Sequence, residues 1–400
     1  MIILGIETSC DETAVSVVEA TGGLKRPRFR SLAHLVASQA ALHARWGGVV
    51  PNLAKREHAR NLLPLLTEAL ETAGLARHDA TRRQQLTVGE ADQVRQILER
   101  EPELLDQFLQ VMPSLKRPAV DLIAVTQGPG LEPALWVGIN LAKALSLVWQ
   151  IPVVPINHLE GHILSVLIDL EAPTSFGRRG CFRFPALALL ISGGHTELVL
   201  IKDWLKYRRL GQTRDDAVGE AFDKVARLLG LPYPGGPEIS RLAAKADSSS
   251  SKTYNLKPKT YSLPRPMLNS PDYDFSFSGL KTAVRYLVEK EAPLSQMTRA
   301  AIAHEFQQAA IEVLLAKTTR AVKQFKPATL VIAGGVAANQ ELRRQFTETL
   351  GGDFPNCQLL ISSHQLSTDN ATMIAVAGYF RAQTKIKPNP NFAAHGTMAL

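Results

Sequence analysis

Two short apolar runs flank a polar loop at the start of the chain. Residues 2–6 and 14–18 are apolar and rich in β-branched side chains, and Glu7-Thr-Ser-Cys-Asp-Glu-Thr13 lies between them. Apolar runs of this length bounded by polar turns predict buried strands. The pattern recurs: 186–191 is apolar, Ser192-Gly-Gly-His-Thr196 is polar, and 197–201 is apolar again. Two strand–loop–strand units predict duplicated α/β lobes that face each other, with the polar turns at a shared cleft. Further apolar runs predict strands at 121–126, 151–155 and 329–333. Helical spacing of apolar positions predicts helices over 51–70, 136–149, 215–230 and 298–325, and a short one leaving 163–168. Glycine pairs mark turns at Gly47-Gly48, Gln127-Gly-Pro-Gly130, Tyr233-Pro-Gly-Gly236 and Gly334-Gly-Val-Ala-Ala-Asn339.

Two stretches break the alternation. Residues 77–117 are rich in Arg, Gln and Glu. Val94, Ile97, Leu98, Leu104, Leu105, Phe108 and Leu109 recur there at roughly helical spacing, with Pro102 and Pro113 interrupting. This predicts a helical insertion on the surface of the first lobe. Residues 247–260 are Ser- and Lys-rich and read as a flexible loop. The expected division is 1–156 with 369–400 as one lobe and 157–368 as the other.

Composition narrows the class. The chain has 400 residues, long enough for two lobes with sizeable cores. Hydrophobic residues are 45% and charged residues 20%, as in ordinary soluble proteins. No apolar run reaches membrane-spanning length, so no membrane partner is expected. The first residues lack a basic region and reach Glu7 at once, which reads as a buried strand and not a signal peptide. Cys10, Cys181 and Cys357 are few and scattered, as expected of a reducing, cytoplasmic compartment. The net charge of +8 suits a polyanionic partner such as nucleic acid, although a merely basic soluble protein has the same balance.

Candidate chemistry centres on Pro155-Ile-Asn-His158-Leu-Glu-Gly-His162. Two histidines four apart project from one helical face and can hold a metal ion with coordination positions left open. Two polar residues at a helix start look the same. The pattern His-x-Glu-x-His is not that of the zinc proteases, where the glutamate follows the first histidine directly. Asp369, in Ser367-Thr-Asp-Asn370, is either a helix-start residue or a third ligand. Asp216, Glu220 and Asp223 share a face that fits a hydroxyl-rich ligand or plain solvent. Asp274-Phe-Ser-Phe-Ser-Gly-Leu-Lys281 reads as a strand entering a helix whose N-terminus can receive an anion. The Gly128-Pro-Gly130 turn suits either a phosphate or a purely structural bend. His58 can point at a partner or substrate, but a solvent-facing helix position is the expectation. No Gly-x-x-x-x-Gly-Lys-Ser/Thr occurs, which argues against a P-loop ATPase.

Several stretches together resemble one family over nearly the whole chain. They include Gly5-Ile-Glu-Thr-Ser-Cys-Asp-Glu12, Gly47-Gly-Val-Val-Pro51, Gly128-Pro-Gly130, His158-Leu-Glu-Gly-His162 and Ser192-Gly-Gly-His195. Gly219-Glu-Ala-Phe-Asp-Lys224, Tyr233-Pro-Gly-Gly236, Phe275-Ser-Phe-Ser-Gly-Leu-Lys281, Ala333-Gly-Gly-Val336 and Ser367-Thr-Asp-Asn370 follow in the same order. The chain resembles the bacterial and organellar tRNA N6-adenosine threonylcarbamoyltransferases, the TsaD family, formerly described as O-sialoglycoprotein endopeptidases. The resemblance implies an actin-like, sugar-kinase-type (ASKHA) fold of two lobes with a nucleotide cleft. It implies transfer of threonylcarbamoyl from threonylcarbamoyl-AMP to N6 of adenosine 37 in tRNAs reading codons that start with A. It further implies that His158, His162 and Asp369 bind one divalent metal ion, Fe(2+) ahead of Zn(2+). By the same resemblance Ile191, Ser192, Gly193, Gly194 and His195 line the adenylate and phosphate site, Asp223 and Gly236 the ribose side, and Asn339 the adenine side. Asp11 and Glu12 are candidates for handling the amine proton. The implied partners are tRNA, a smaller paralogous TsaB-like subunit lacking the metal site, and a TsaE-like P-loop ATPase subunit.

Departures from the family pattern are Leu131-Glu-Pro133 after the Gly-Pro-Gly turn and the longer stretches at 77–117 and 247–260. The competing readings are a metal-dependent protease, a kinase or ATPase of the same fold, and a nucleotide-binding scaffold without turnover.

Overall fold

A computed structural model of the chain describes residues 1–76, 86–168, 170, 182–248, 260–384 and 391–400. Most of the loop expected at 247–260, part of the insertion at 77–85, and Cys181 lie outside the described residues.

The elements run in chain order. The first group is β1 (Ile2–Glu7), β2 (Glu12–Thr21), β3 (Arg28–Ser38), α1 (Ala40–Ala44), α2 (Pro51–Thr72), α3 (Val88–Ile97), α4 (Pro102–Val111), β4 (Leu122–Gly128), α5 (Glu132–Trp149), β5 (Val153–Asn157) and α6 (His158–Leu164). The second is β6 (Ala186–Ile191), β7 (Thr196–Asp203), β8 (Lys206–Gln212), α7 (Val218–Leu228), α8 (Gly235–Ser248), α9 (Ser278–Glu291), α10 (Gln296–Phe325), β9 (Thr329–Ala333), α11 (Gln340–Asp353), β10 (Gln358–Ile361) and α12 (His364–Ser367). Helix α13 (Ala371–Gln383) closes the chain. Among the described residues no helix is long and apolar enough to cross a membrane.

The strands form two five-stranded sheets, ordered β3-β2-β1-β4-β5 and β8-β7-β6-β9-β10. In the first, β1 is antiparallel to β2 and β2 to β3, while β1, β4 and β5 are parallel. The second repeats this sense: β6, β7 and β8 antiparallel, β6, β9 and β10 parallel. This duplicated α/β plan is that of the actin-like, sugar-kinase-type class. The central strands β1, β4, β6 and β9 are buried along nearly their whole length. Strands covered on both faces read as unbroken apolar runs, which is why they are visible in the sequence.

The chain divides into two compact units. One is Met1–Leu42, Val49–Cys181 and Thr368–Leu400, and the other is His43–Gly48 and Phe182–Ser367. The expected boundary at 156/157 is therefore displaced. Helix α6 belongs to the first unit because it packs on α13, to which the buried Glu160 carboxylate is tied by Arg381 at 2.9 Å.

Within the insertion, α3 and α4 turn their apolar faces inward. Val94, Leu98, Leu104 and Phe108 are fully buried in the first unit's core. Thr87 and Glu90 form a capping box at the start of α3. Pro102 does not interrupt a helix; it opens α4, where its missing N–H costs nothing.

Candidate metal centre and glycine turn

Strand β5 ends in Asn157, whose side-chain carbonyl accepts from the N–H groups of Leu159 and Glu160 and so caps α6. The cap starts the helix at His158 and sets His158 and His162 one turn apart on one buried face. On the other side, Asn370 caps α13 by accepting from Met373 N. Asp369 therefore stands one residue before the cap, and its carboxylate is available for another role. It meets both rings: Asp369 Oδ1 lies 3.1 Å from His162 Nε2 and 3.4 Å from His158 Nε2. Donor atoms of the three residues all lie within 4.8 Å of one another.

The site is built to hold these rings. Glu7, fully buried at the end of β1, accepts from Thr126 Oγ1 at 2.6 Å and from Ser9 N. The oxygen that takes the Thr126 hydroxyl, Oε2, also lies 3.1 Å from His158 Nδ1, and Ser9 Oγ is 3.2 Å from the same ring nitrogen. A carboxylate on Nδ1 orients the ring and leaves Nε2 as the ligating nitrogen. Two imidazoles and a carboxylate suit a borderline divalent ion, ferrous iron or zinc. The residues therefore fit the expected metal.

Electrostatics divide the two rings. Burial opposes charge on His158, but Asp369 and Glu7 outweigh it and raise its pKa well above the ordinary imidazole value. Burial lowers that of His162, which favours the neutral ring a metal needs. Burial also opposes charge on Asp369, yet His158 and His162 hold its carboxyl well below the usual range. Burial, then Asp369, then Asp11 push Glu12 well above it. Burial likewise raises the Cys10 thiol, so this cysteine stays protonated.

Glu160 is not a protease base. It is fully buried and paired with Arg381. Sequence reasoning missed Glu7 and Thr126 as supports for His158. The available signal was an acid placed directly after an apolar strand. His58 is also corrected: it is fully buried, bonded to Thr13 Oγ1 at 2.8 Å and to the Cys10 carbonyl at 3.0 Å.

The second unit carries the glycine turn. Ile191 ends β6, and Ser192 N donates to the His195 carbonyl at 2.8 Å while His195 N donates to Ser192 Oγ at 3.1 Å. Gly193 and Gly194 are exposed, and a Cβ on either would meet nothing within 4 Å. The N-terminus of α7 abuts this turn, since Gly219 N donates to the Ser192 carbonyl at 3.2 Å. Helix N-termini beside glycine turns favour anions. Asp223 Oδ1 accepts from Gly235 N at 2.7 Å and so holds the turn that leads to Gly236, whose Cβ position is also open. Asn339 is committed to the fold: its carbonyl caps α11 at Leu342 N, and its amide donates to Ser240 Oγ and Gln307 Oε1.

Three other expectations change. The Gly128–Gly130 turn has no room for a phosphate, because a Cβ on Gly128 would lie 1.9 Å from the His395 carbonyl and one on Gly130 2.6 Å from that of Ser9. The N-terminus of α9 already receives an anion. Asp215 accepts from Phe277 N, Ser278 N and both serine hydroxyls of Ser276 and Ser278. The acidic face is met within the chain, as Lys224 bridges Asp216 and Glu220 at 2.8 Å each.

Comparison with known proteins gives the same reading. The family model described as TsaD, tRNA N6-adenosine threonylcarbamoyltransferase, matches residues 30–82 and 93–376. A protein of that name from Paraburkholderia xenovorans (strain LB400) is 42% identical over 385 residues, 96% of this chain and 93% of the relative. One from Nitrosospira multiformis is 42% identical over 384 residues, 96% of this chain and 92% of the relative. A solved structure of full-length HypF in the phosphate- and nucleotide-bound form aligns with 70% of this chain and 41% of that chain, at 13% identity and a TM-score of 0.45. On its match to the family model and its relatives, the chain belongs to the tRNA N6-adenosine threonylcarbamoyltransferase family and is a transferase that forms threonylcarbamoyladenosine at position 37 of tRNA.

Proposed function

We propose that threonylcarbamoyl-AMP is the donor and that His158, His162 and Asp369 hold one divalent ion, ferrous iron or zinc. When bound, the ion supplies a Lewis acid that anchors and polarises the donor through its oxygens. The N6 lone pair attacks the carbamoyl carbon, the bond from that carbon to the phosphate oxygen breaks, and AMP leaves with the electron pair. N6 gives up one proton. Burial, Asp369 and Asp11 favour the protonated form of Glu12, which hydrogen-bonds Asp11, so Asp11 is the acceptor we assign.

Ile191, Ser192, Gly193, Gly194 and His195 take the adenylate and its phosphate, using backbone N–H groups and the N-terminus of α7. Asp223 and Gly236 take the ribose side. Asn339 serves the adenine side by fixing Ser240 and Gln307. The adenine amine is a weak nucleophile and the donor is already activated, so positioning and charge stabilisation do most of the work. A net charge of +8 supports tRNA binding that weakens steeply with salt. The family resemblance supports a smaller paralogous subunit and a P-loop ATPase subunit as partners, and the sparse cysteines support a cytoplasmic setting.

The observation that carries the reading is the approach of both Nε2 atoms to one Asp369 oxygen. Its test is nucleoside mass spectrometry of tRNA from cells depleted of this chain and resupplied with wild type or His158→Ala, with metal content measured on both purified proteins. Wild type is expected to restore threonylcarbamoyladenosine. The variant should lose the metal and restore none. A metal-free variant that still restores the nucleoside would remove the metal from the reaction.

A further inference from the structure

The mechanism above makes no use of His58, yet it is among the most completely buried polar groups of the first unit. It projects from α2 toward the loop that joins β1 to β2. Its Nε2 lies 3.0 Å from the Cys10 carbonyl oxygen, and its Nδ1 lies 2.8 Å from Thr13 Oγ1 and 3.3 Å from Gln39 Nε2. A carbonyl oxygen can only accept, so Nε2 must carry the proton. In the neutral ring Nδ1 is then an acceptor, and the Thr13 hydroxyl and the Gln39 amide are both donors able to supply it. The tautomer follows from the partners.

The bond to Cys10 acts on Asp11. It fixes the plane of the peptide between the two residues. The next carbonyl, that of Asp11 itself, accepts from Gln39 N at 2.9 Å. Asp11 is thus held at the carbonyl on either side of its Cα, once by an imidazole and once by a backbone N–H. Gln39 belongs to the same cluster, with its amide 3.4 Å from Thr13 Oγ1.

We propose that His58 is a positioning residue for the transfer, holding the Asp11 carboxylate in register through the Cys10 carbonyl. The proposal rests on the role assigned to Asp11 above. It predicts that the Nε2 side of the ring matters to turnover more than the Nδ1 side does. Two substitutions separate these sides. In H58Q the amide nitrogen stands where Nε2 stood and keeps a donor for Cys10. In H58N the side-chain oxygen stands where Nδ1 stood and keeps an acceptor for Thr13, while the bond to Cys10 is lost.

The experiment measures initial rates of threonylcarbamoyladenosine formation by the full-length chain, with tRNA and threonylcarbamoyl-AMP. Extract from cells depleted of the chain supplies any partner. Melting temperature and tRNA affinity are measured alongside. H58N is expected to lower the rate at saturating substrate about 10- to 100-fold with tRNA affinity unchanged, the scale of a misplaced reacting group. H58Q should stay within about threefold of wild type. Equal rates for the two variants, both high or both low, would overturn the proposal. The first result makes His58 packing alone, and the second makes the imidazole act as itself. If either variant fails to fold, the ring's 15N shifts in the wild-type chain decide, since a neutral ring protonated at Nδ1 or a doubly protonated ring contradicts the bond to Cys10. Failure of wild type to form the nucleoside would sink the assignment of function and leave the tautomer result standing.

Discussion

The two sheets share strand order and strand sense, yet the turn after the first strand is opposite in character in each. Between the end of β1 and the start of β2 the chain places Glu7, Asp11 and Glu12, of which Glu7 and Asp11 are buried and Glu12 is half-buried. After β6 it places Ser192, Gly193, Gly194 and His195, with both glycines open to solvent. Carboxylates removed from water need cations or donors around them, and the first turn accordingly sits by two histidines. A glycine turn against a helix N-terminus has no side chain in the way, which suits an anion. On the proposed reading, one scaffold position serves opposite charges. The glycines at the end of β4 and in the turn after it show the contrary use of the same residue: Gly128 and Gly130 are small so that the chain's own backbone can fill the space.

This contrast predicts that one substitution has two different consequences. Gly130→Ala puts a methyl 2.6 Å from the Ser9 carbonyl, and Ser9 Oγ lies by His158. Overpacking of this kind costs about 1–3 kcal/mol. The expected result is a clear fall in melting temperature together with weaker metal retention. Gly194→Ala puts its methyl in open space, so the melting temperature should hold. AMP affinity, measured by calorimetry, should fall instead. A Gly194→Ala protein that binds AMP like wild type would remove the anion role from this turn and leave the two sheets without the proposed division of labour.

What the sequence made legible follows the same line. Central strands were visible because they are apolar on both faces, and the candidate ligands His158 and His162 because helical spacing is a local property. Asp369 was legible only as a motif residue, since its approach to two rings more than 200 positions away is set by the fold, here by the cap at Asn370. His58 was misread because a histidine in a helix gives no sign of which face is covered. Pro102 was read as an interruption because proline breaks a helix in the middle but begins one at its first turn.

The first turn's charge also sets a pH dependence. Without metal, Asp369 and Glu7 outweigh burial and favour the protonated His158 ring. The ion must displace that proton, so its affinity rises with pH until the raised His158 pKa is passed. Competition with a chelator between pH 6 and 8 should show tighter binding at the higher pH. The raised pKa has its own sign for stability. The attraction of His158⁺ to its carboxylates is fully present below the ordinary imidazole value and is lost as pH rises through the folded value. The metal-free chain should lose stability over that window while the metal-loaded chain does not. A metal affinity independent of pH would mean that Nε2 of His158 is already free of its proton.

The smallest effect isolates geometry from charge. Asn157→Ala removes the cap of α6 and leaves every ligand in place. Loss of such a cap costs about 1 kcal/mol. Because this cap sets where the helix starts, the same change should loosen the register of His158 against Asp369. Urea unfolding is expected to show the modest loss, and metal affinity should fall by more than that loss alone would produce. If metal affinity is unchanged at the reduced stability, Glu7 on Nδ1 is sufficient to aim the ring, and the cap serves only the helix. The second unit offers the matching control, since Asn339→Ala removes the cap of α11 and should leave metal affinity untouched.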